Sequence, residues 1–122
     1  MIRGTVNGNL EAILPIKLHG AIDATVNLYA AVDTGFDGFL ILDEKTVELL
    51  DLPIMSTRRV VLGDSSTAVM KSVRVDVEFA GRESSVIALV SKEDSMIGMR
   101  LMLGWNLRIH VREGGTVELS TD

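Results

Sequence analysis

The residues with the clearest chemical potential are Asp33, Thr34 and Gly35, which interrupt an otherwise apolar stretch. Apolar residues lead directly into Asp33 and resume at Phe39. A carboxylate between two segments that look buried is costly, because its charge loses solvation, so such an Asp is usually exposed at a turn, hydrogen-bonded or functional. Thr34 can supply a hydroxyl, and Gly35 allows a positive φ or the close approach of another backbone. Taken alone, the tripeptide favours a turn carboxylate that caps its own loop.

The composition favours one domain, residues 1–122, with a modest hydrophobic core. The chain has 122 residues, 47% hydrophobic and 24% charged, with a formal net charge of −5. This acidic balance argues against a nucleic-acid partner, since phosphate binding needs a basic surface. Cysteine is absent, so thiolate nucleophiles and thiolate metal ligands are excluded. With only two histidines, we expect no metal and no cofactor.

Neither a signal peptide nor a membrane span is indicated. No charged segment followed by an apolar run opens the sequence, and no apolar run approaches the roughly 20 residues that cross a bilayer. We therefore expect a cytoplasmic protein with no membrane partner.

Period-two alternation of apolar and polar residues dominates the chain and predicts an all-β fold. It predicts about eight to ten short strands, with turns every 8–12 residues, as in a barrel or sandwich. The predicted strands cover 2–6, 12–18, 26–32, 39–42, 58–62, 67–71, 73–79, 85–90, 107–111 and 116–119. One helix is predicted over 44–50, capped by Asp43 and ended before Pro53, and a helical turn is predicted over 99–103.

Two motifs within this layout resemble those of the retropepsin-type aspartic proteases. The first is Asp-Thr-Gly at 33–35 after a strand, and the second is Met96-Ile97-Gly98 followed by Leu101. The resemblance covers nearly the whole chain and is nearest to the small prokaryotic retroviral-like proteases, which are similar to half of a pepsin. It implies a closed β-barrel, with one short helix after the Asp-Thr-Gly segment and a short C-terminal helical turn.

The resemblance implies an aspartic endopeptidase in which Asp33 is the catalytic carboxylate. Thr34 would bond across a dimer axis, and the Gly35 N–H would hydrogen-bond the Asp33 carboxylate. Aspartic proteolysis needs two carboxylates that share one proton about a lytic water, one acting as base and the other as acid. The chain has one Asp-Thr-Gly, so the second Asp must come from a second copy. We therefore expect an active homodimer, a polypeptide substrate and an inactive monomer.

The resemblance also implies a set of residues that bind substrate. These are Phe36, Asp37, Gly63, Asp64, Ser65 and Ile97. Phe36 replaces the small residue of retroviral members and would narrow the pocket, and Asp37 would contact substrate backbone. Two alternatives stay open for Asp37, which could instead bond nearby loop N–H groups or pair with Arg100. Residues 62–67 would form a flap over the substrate, although a plain surface hairpin fits equally well.

Two other classes of function compete with the protease. One is a catalytically silent retropepsin-fold domain that dimerises or binds peptides, since a fold does not guarantee its chemistry. The intact Asp-Thr-Gly favours the enzyme over this alternative. The other is phosphoryl transfer to an Asp nucleophile, which is disfavoured because the sequence has neither a phosphate-cradling Gly-rich loop before a helix nor a βαβ pattern.

Overall fold

The computed structural model describes residues 1–121, which contain ten strands and one short helix. The strands are β1 (Ile2–Val6), β2 (Ala12–His19), β3 (Thr25–Val32), β4 (Leu40–Asp43), β5 (Ser56–Val61), β6 (Thr67–Phe79), β7 (Arg82–Ser91), β8 (Met96–Ile97), β9 (Asn106–Ile109) and β10 (Thr116–Ser120). The helix is α1 (Glu44–Leu49). The predicted all-β class is confirmed.

The alternating pattern of the sequence separates buried from exposed faces. In β2, Ala12, Leu14, Ile16 and Leu18 are buried and alternate with residues that are more exposed. These four side chains share one face of the strand, because successive side chains of a strand point to opposite faces. The largest fully buried apolar side chains are Leu14, Leu18, Leu40, Leu42, Leu50, Ile97 and Leu119.

All ten strands belong to one sheet, in the order β5-β6-β7-β4-β8-β3-β2-β1-β10-β9. An additional antiparallel pairing joins β2 to β6, where Lys17 lies opposite Glu78 and His19 lies opposite Asp76. The His19 Nε2 and Glu78 Oε2 atoms are 3.0 Å apart on this seam. The pairings therefore run from β2 through β3, β8, β4, β7 and β6 and return to β2. This arrangement places the end of β3 beside β8.

Helix α1 begins where the sequence predicts, because Asp43 caps it. The Asp43 carboxylate accepts hydrogen bonds from the Thr46 N–H (3.1 Å), the Thr46 hydroxyl (2.6 Å) and the Ser95 hydroxyl (2.7 Å). Burial raises the pKa of the Asp43 carboxyl, but these hydrogen bonds outweigh it and lower the pKa below its usual value. The cap also joins α1 to the segment that leads into β8. Among the described residues, no helix is long and apolar enough to cross a membrane.

The predicted helical turn at 99–103 is a series of i→i+3 turns. The Met102 N–H donates to Met99 O (3.1 Å), and the Leu103 N–H donates to Arg100 O (3.4 Å). Gly104, with φ +87°, then turns the chain away.

The two strands predicted at 67–71 and 73–79 are one continuous strand, β6. Its second half pairs with β7, and its first half pairs with β5. The pairing partner of β6 changes from β5 to β7 at Ser72, which is fully buried and lies opposite both Ser56 and Leu89. The Ser56 and Ser72 hydroxyls are 2.7 Å apart. Beyond this point β5 and β6 form a two-stranded hairpin with exposed outer residues.

Candidate active site

Asp33 lies at the point where β3 ends, directly beside the second sequence motif. Val32 pairs in parallel register with Ile97 of β8, and the Asp33 N–H donates to Ile97 O (2.9 Å). The Gly35 N–H donates to Asp33 Oδ1 (2.9 Å), and the Phe36 N–H donates to Asp33 O (3.2 Å). The carboxylate is partly exposed. It is therefore accessible at the surface but oriented by its own loop.

The Asp33 loop lies on three consecutive backbone amides that follow β8. The bonds run from the Gly98 N–H to Phe39 O (2.9 Å), from the Met99 N–H to Phe36 O (2.8 Å) and from the Arg100 N–H to Gly38 O (3.1 Å). Buried backbone groups need such partners, so the second motif fixes the conformation of the first. The two motifs, which are more than sixty residues apart in sequence, form one unit.

Phe36 packs inside this unit, over two glycines. A Cβ atom added at Gly38 would lie 2.4 Å from Phe36 Cζ, and one added at Gly98 would lie 2.6 Å from Phe36 Cδ2. The Cβ at Gly98 would also lie 2.1 Å from Gly38 O. Glycine is therefore required at both positions for the ring and the backbone to approach so closely.

Two clefts meet at Thr34. The Asp33 cleft, about 440 Å³, is bordered by Asp33 and Thr34 and walled by Leu10, Glu11, Ile109 and Val111. The Trp105 cleft, about 550 Å³, is bordered by Thr34 and Asp37 and walled by Met99, Leu103 and Trp105. Phe36 is not among the described residues that line either cleft.

Thr34 and Asp37 are exposed, and each has a polar side-chain group that could bind a partner. Within residues 1–121, neither the Thr34 hydroxyl nor the Asp37 carboxylate makes a hydrogen bond or an ion pair. Arg100 approaches Asp37, but its Nε donates to the Asp37 main-chain O (3.2 Å). The Asp37 carboxylate therefore neither bonds a loop N–H group nor pairs with Arg100 in this chain. Both side chains remain available to a ligand or to a second chain.

Ile97 is also predicted to bind substrate, and the structure shows where its side chain lies. That side chain is fully buried in the core, because β8 lies between β3 and β4 with this residue facing inward. What Ile97 offers the site is its carbonyl oxygen, which accepts the Asp33 N–H bond. Ile97 therefore positions Asp33 from below.

The predicted flap residues Gly63, Asp64 and Ser65 form the tip of the β5–β6 hairpin. The Leu62 N–H donates to Ser66 O (2.8 Å), and Asp64 Oδ1 accepts the Ser66 N–H (2.9 Å). The Ser66 hydroxyl, followed by the Ser66 N–H, lowers the pKa of the Asp64 carboxyl. The described linings of the Asp33 and Trp105 clefts do not include the tip.

Sequence reasoning missed the wall of the Asp33 cleft formed by Leu10 and Glu11. The available signal was an apolar residue at the end of a polar turn, Asn7-Gly8-Asn9. No group of three or more His, Asp or Glu side chains that could hold a metal ion occurs among the described residues.

Comparison of the chain with protein-family models and with curated proteins yields no match to either.

Proposed function

We propose that the protein is an aspartic endopeptidase with a retropepsin-type β-barrel, active as a homodimer. One observation carries this proposal: a partly exposed Asp33 carboxylate, oriented by the Gly35 N–H, lies on the backbone of the second motif and opens into a cleft. The barrel is supported by the β2–β6 pairing, which closes the ring of pairings that runs from β2 through β3, β8, β4, β7 and β6.

The chemistry requires Asp33 from each of two chains. The two carboxyl groups hold one lytic water and share one proton, because two adjacent charges of the same sign are unfavourable. The ionised carboxylate takes a proton from the water as it attacks the peptide carbonyl carbon, while the protonated one donates its proton to the carbonyl oxygen. The carboxyl group that took the proton from water then protonates the leaving amine as the carbon–nitrogen bond breaks, and the other carboxylate recovers a proton from a hydroxyl of the tetrahedral intermediate. A single chain supplies only one of the two carboxyl groups that this chemistry needs.

Thr34 and the hairpin take supporting roles in this proposal. The exposed Thr34 hydroxyl, adjacent to Asp33, bonds across the two-fold axis and holds the two loops together. A substrate binds as an extended strand, and the β5–β6 hairpin closes over it. A two-stranded hairpin with few packing contacts is marginally stable, so it can move between open and closed positions.

Proteolysis of unfolded casein from acid to neutral pH tests the proposal. The wild type should release fragments, Asp33→Asn should not, and the matched control Asp23→Asn, an exposed turn residue, should cleave as the wild type does. Equal cleavage by Asp33→Asn would refute the assignment of Asp33. Light scattering should show a dimer. A dimer that never cleaves would instead favour the catalytically silent peptide-binding domain.

A further inference from the structure

The loop that walls the Asp33 cleft holds a leucine in an unfavourable position. Leu10 has φ 59°, a left-handed conformation that is strained for residues other than glycine, and the residue is 61% exposed. An apolar side chain that is both strained and exposed reduces folding stability. Such features persist mainly where the surrounding structure enforces them and function uses them.

Asn7 enforces the conformation of this loop. Its side-chain Oδ1 accepts the N–H groups of Asn9 and Glu11, both at 3.0 Å, and its main-chain O accepts the Leu10 N–H at 3.0 Å. The Asn7 Nδ2 donates to Glu11 Oε1 (3.0 Å). The Glu11 carboxylate is therefore oriented by one neutral bond. Within the part of the chain that is described, no cation pairs with it.

The Asp33 cleft combines apolar walls with negative charge. Of the described residues that line it, only Glu11 and Asp33 can carry a charge, and most of the others are aliphatic, including Leu10, Ile109 and Val111. A lysine or arginine side chain matches this environment, since its aliphatic stem covers apolar surface while its charged end reaches a carboxylate. A negatively charged side chain would meet repulsion.

We infer that Glu11 is a specificity-determining residue, and that the Asp33 cleft accepts a lysine or arginine beside the scissile bond. The inference rests on the proposed function for the identity of the ligand as a polypeptide. Leu10 and Val111 contact the stem of that side chain, and Glu11 receives its cationic end. Asn7 is a positioning residue, because it orients the Glu11 carboxylate.

Binding of two matched peptides to the full chain tests the inference. Each peptide carries a hydroxyethylene group in place of the scissile amide, preceded by lysine in one and by norleucine in the other. Norleucine keeps an aliphatic stem and lacks the ammonium group. Affinities are measured by calorimetry for the wild type, for Glu11→Gln, which removes the charge at nearly constant shape, and for Glu48→Gln, an exposed control on α1.

The wild type and Glu48→Gln should bind the lysine peptide about fivefold more tightly than the norleucine peptide, the upper range for an exposed ion pair. Glu11→Gln should bind the two peptides equally. Equal affinities in the wild type, a preference that survives Glu11→Gln, or no binding of either peptide would overturn the inference.

The casein assay separates this inference from the proposed function. Asp33-dependent cleavage without a lysine preference would overturn the inference and leave the protease intact. A Glu11-dependent lysine preference without cleavage would support the cleft as a binding site and refute the protease.

Discussion

Replacing Gly98 by alanine should disrupt the unit formed by the two motifs. The added Cβ would lie 2.1 Å from the main-chain oxygen of Gly38 and 2.6 Å from the Phe36 ring. Real Cβ atoms keep at least 3.0 Å from such neighbours, so the carbonyl must move by about 0.9 Å. A side chain can change its rotamer to relieve a contact, but a backbone carbonyl in a hydrogen bond cannot.

The expected loss of stability can be estimated from the contacts that this movement of the carbonyl strains or weakens. Overpacking of this kind costs about 1–3 kcal/mol. The bonds from the Arg100 N–H to Gly38 O and from the Gly98 N–H to Phe39 O would both weaken, at about 1 kcal/mol each. We therefore expect Gly98→Ala to lower the free energy of unfolding by about 3–5 kcal/mol and to abolish any Asp33-dependent activity.

Urea unfolding followed by circular dichroism measures this effect, with two further variants as references. Gly63→Ala is the matched control, because its Cβ would have no neighbour within 4 Å, and it should unfold like the wild type. Phe36→Ala combined with Gly98→Ala removes the ring contact and keeps the carbonyl contact, so the double variant should stay destabilised. Wild-type stability of Gly98→Ala would refute the packing of the two motifs described here.

Two further predictions concern the segments beside the site. Because hydrogen bonds from Thr46 and Ser95 lower the pKa of Asp43 against the effect of burial, the Asp43 charge stabilises the fold above the unfolded-state pKa of that carboxyl. This stabilisation is lost as pH falls through the lower folded-state pKa. In urea unfolding, the free energy of unfolding of Asp43→Asn should therefore fall less steeply in acid than that of the wild type. An equal dependence on pH in both proteins would contradict the hydrogen bonds from Thr46 and Ser95 to Asp43. Leu10→Gly relieves a left-handed residue and should change the free energy of unfolding by less than about 1 kcal/mol, while weakening binding of the norleucine peptide. A loss of several kcal/mol would show instead that Leu10 is a core residue.

Local patterns predicted the strands and the helix start well. Period-two alternation identifies which residues of β2 face the core, and Asp43 at the start of an amphipathic segment identifies the cap of α1. Both signals depend on residues close together in the chain. The interruption of an apolar stretch by Asp33 is a signal of the same kind, and it indicated the loop at which the candidate site lies.

The sequence could not show which residues, distant along the chain, lie close together in the fold. A buried strand and a strand that borders a cleft have the same apolar composition, so the sequence could not show that the Ile97 side chain lies in the core. The ring of Phe36 turns under its loop because two glycines, one distant in sequence, leave room for it. Leu10 and Glu11 reach the Asp33 cleft only because the Asn7 loop folds beside the end of β3.

The measurement that tests the central claim most directly is a subunit-mixing assay. Wild-type chain at fixed concentration is allowed to exchange with Asp33→Asn chain, and cleavage of casein is followed. If each site needs Asp33 from both chains, an equal amount of the variant should reduce activity to about half, because half of the wild-type chains then sit in inactive mixed dimers. A larger excess of the variant should abolish activity. Activity that stays constant at every ratio would contradict a site shared between two chains.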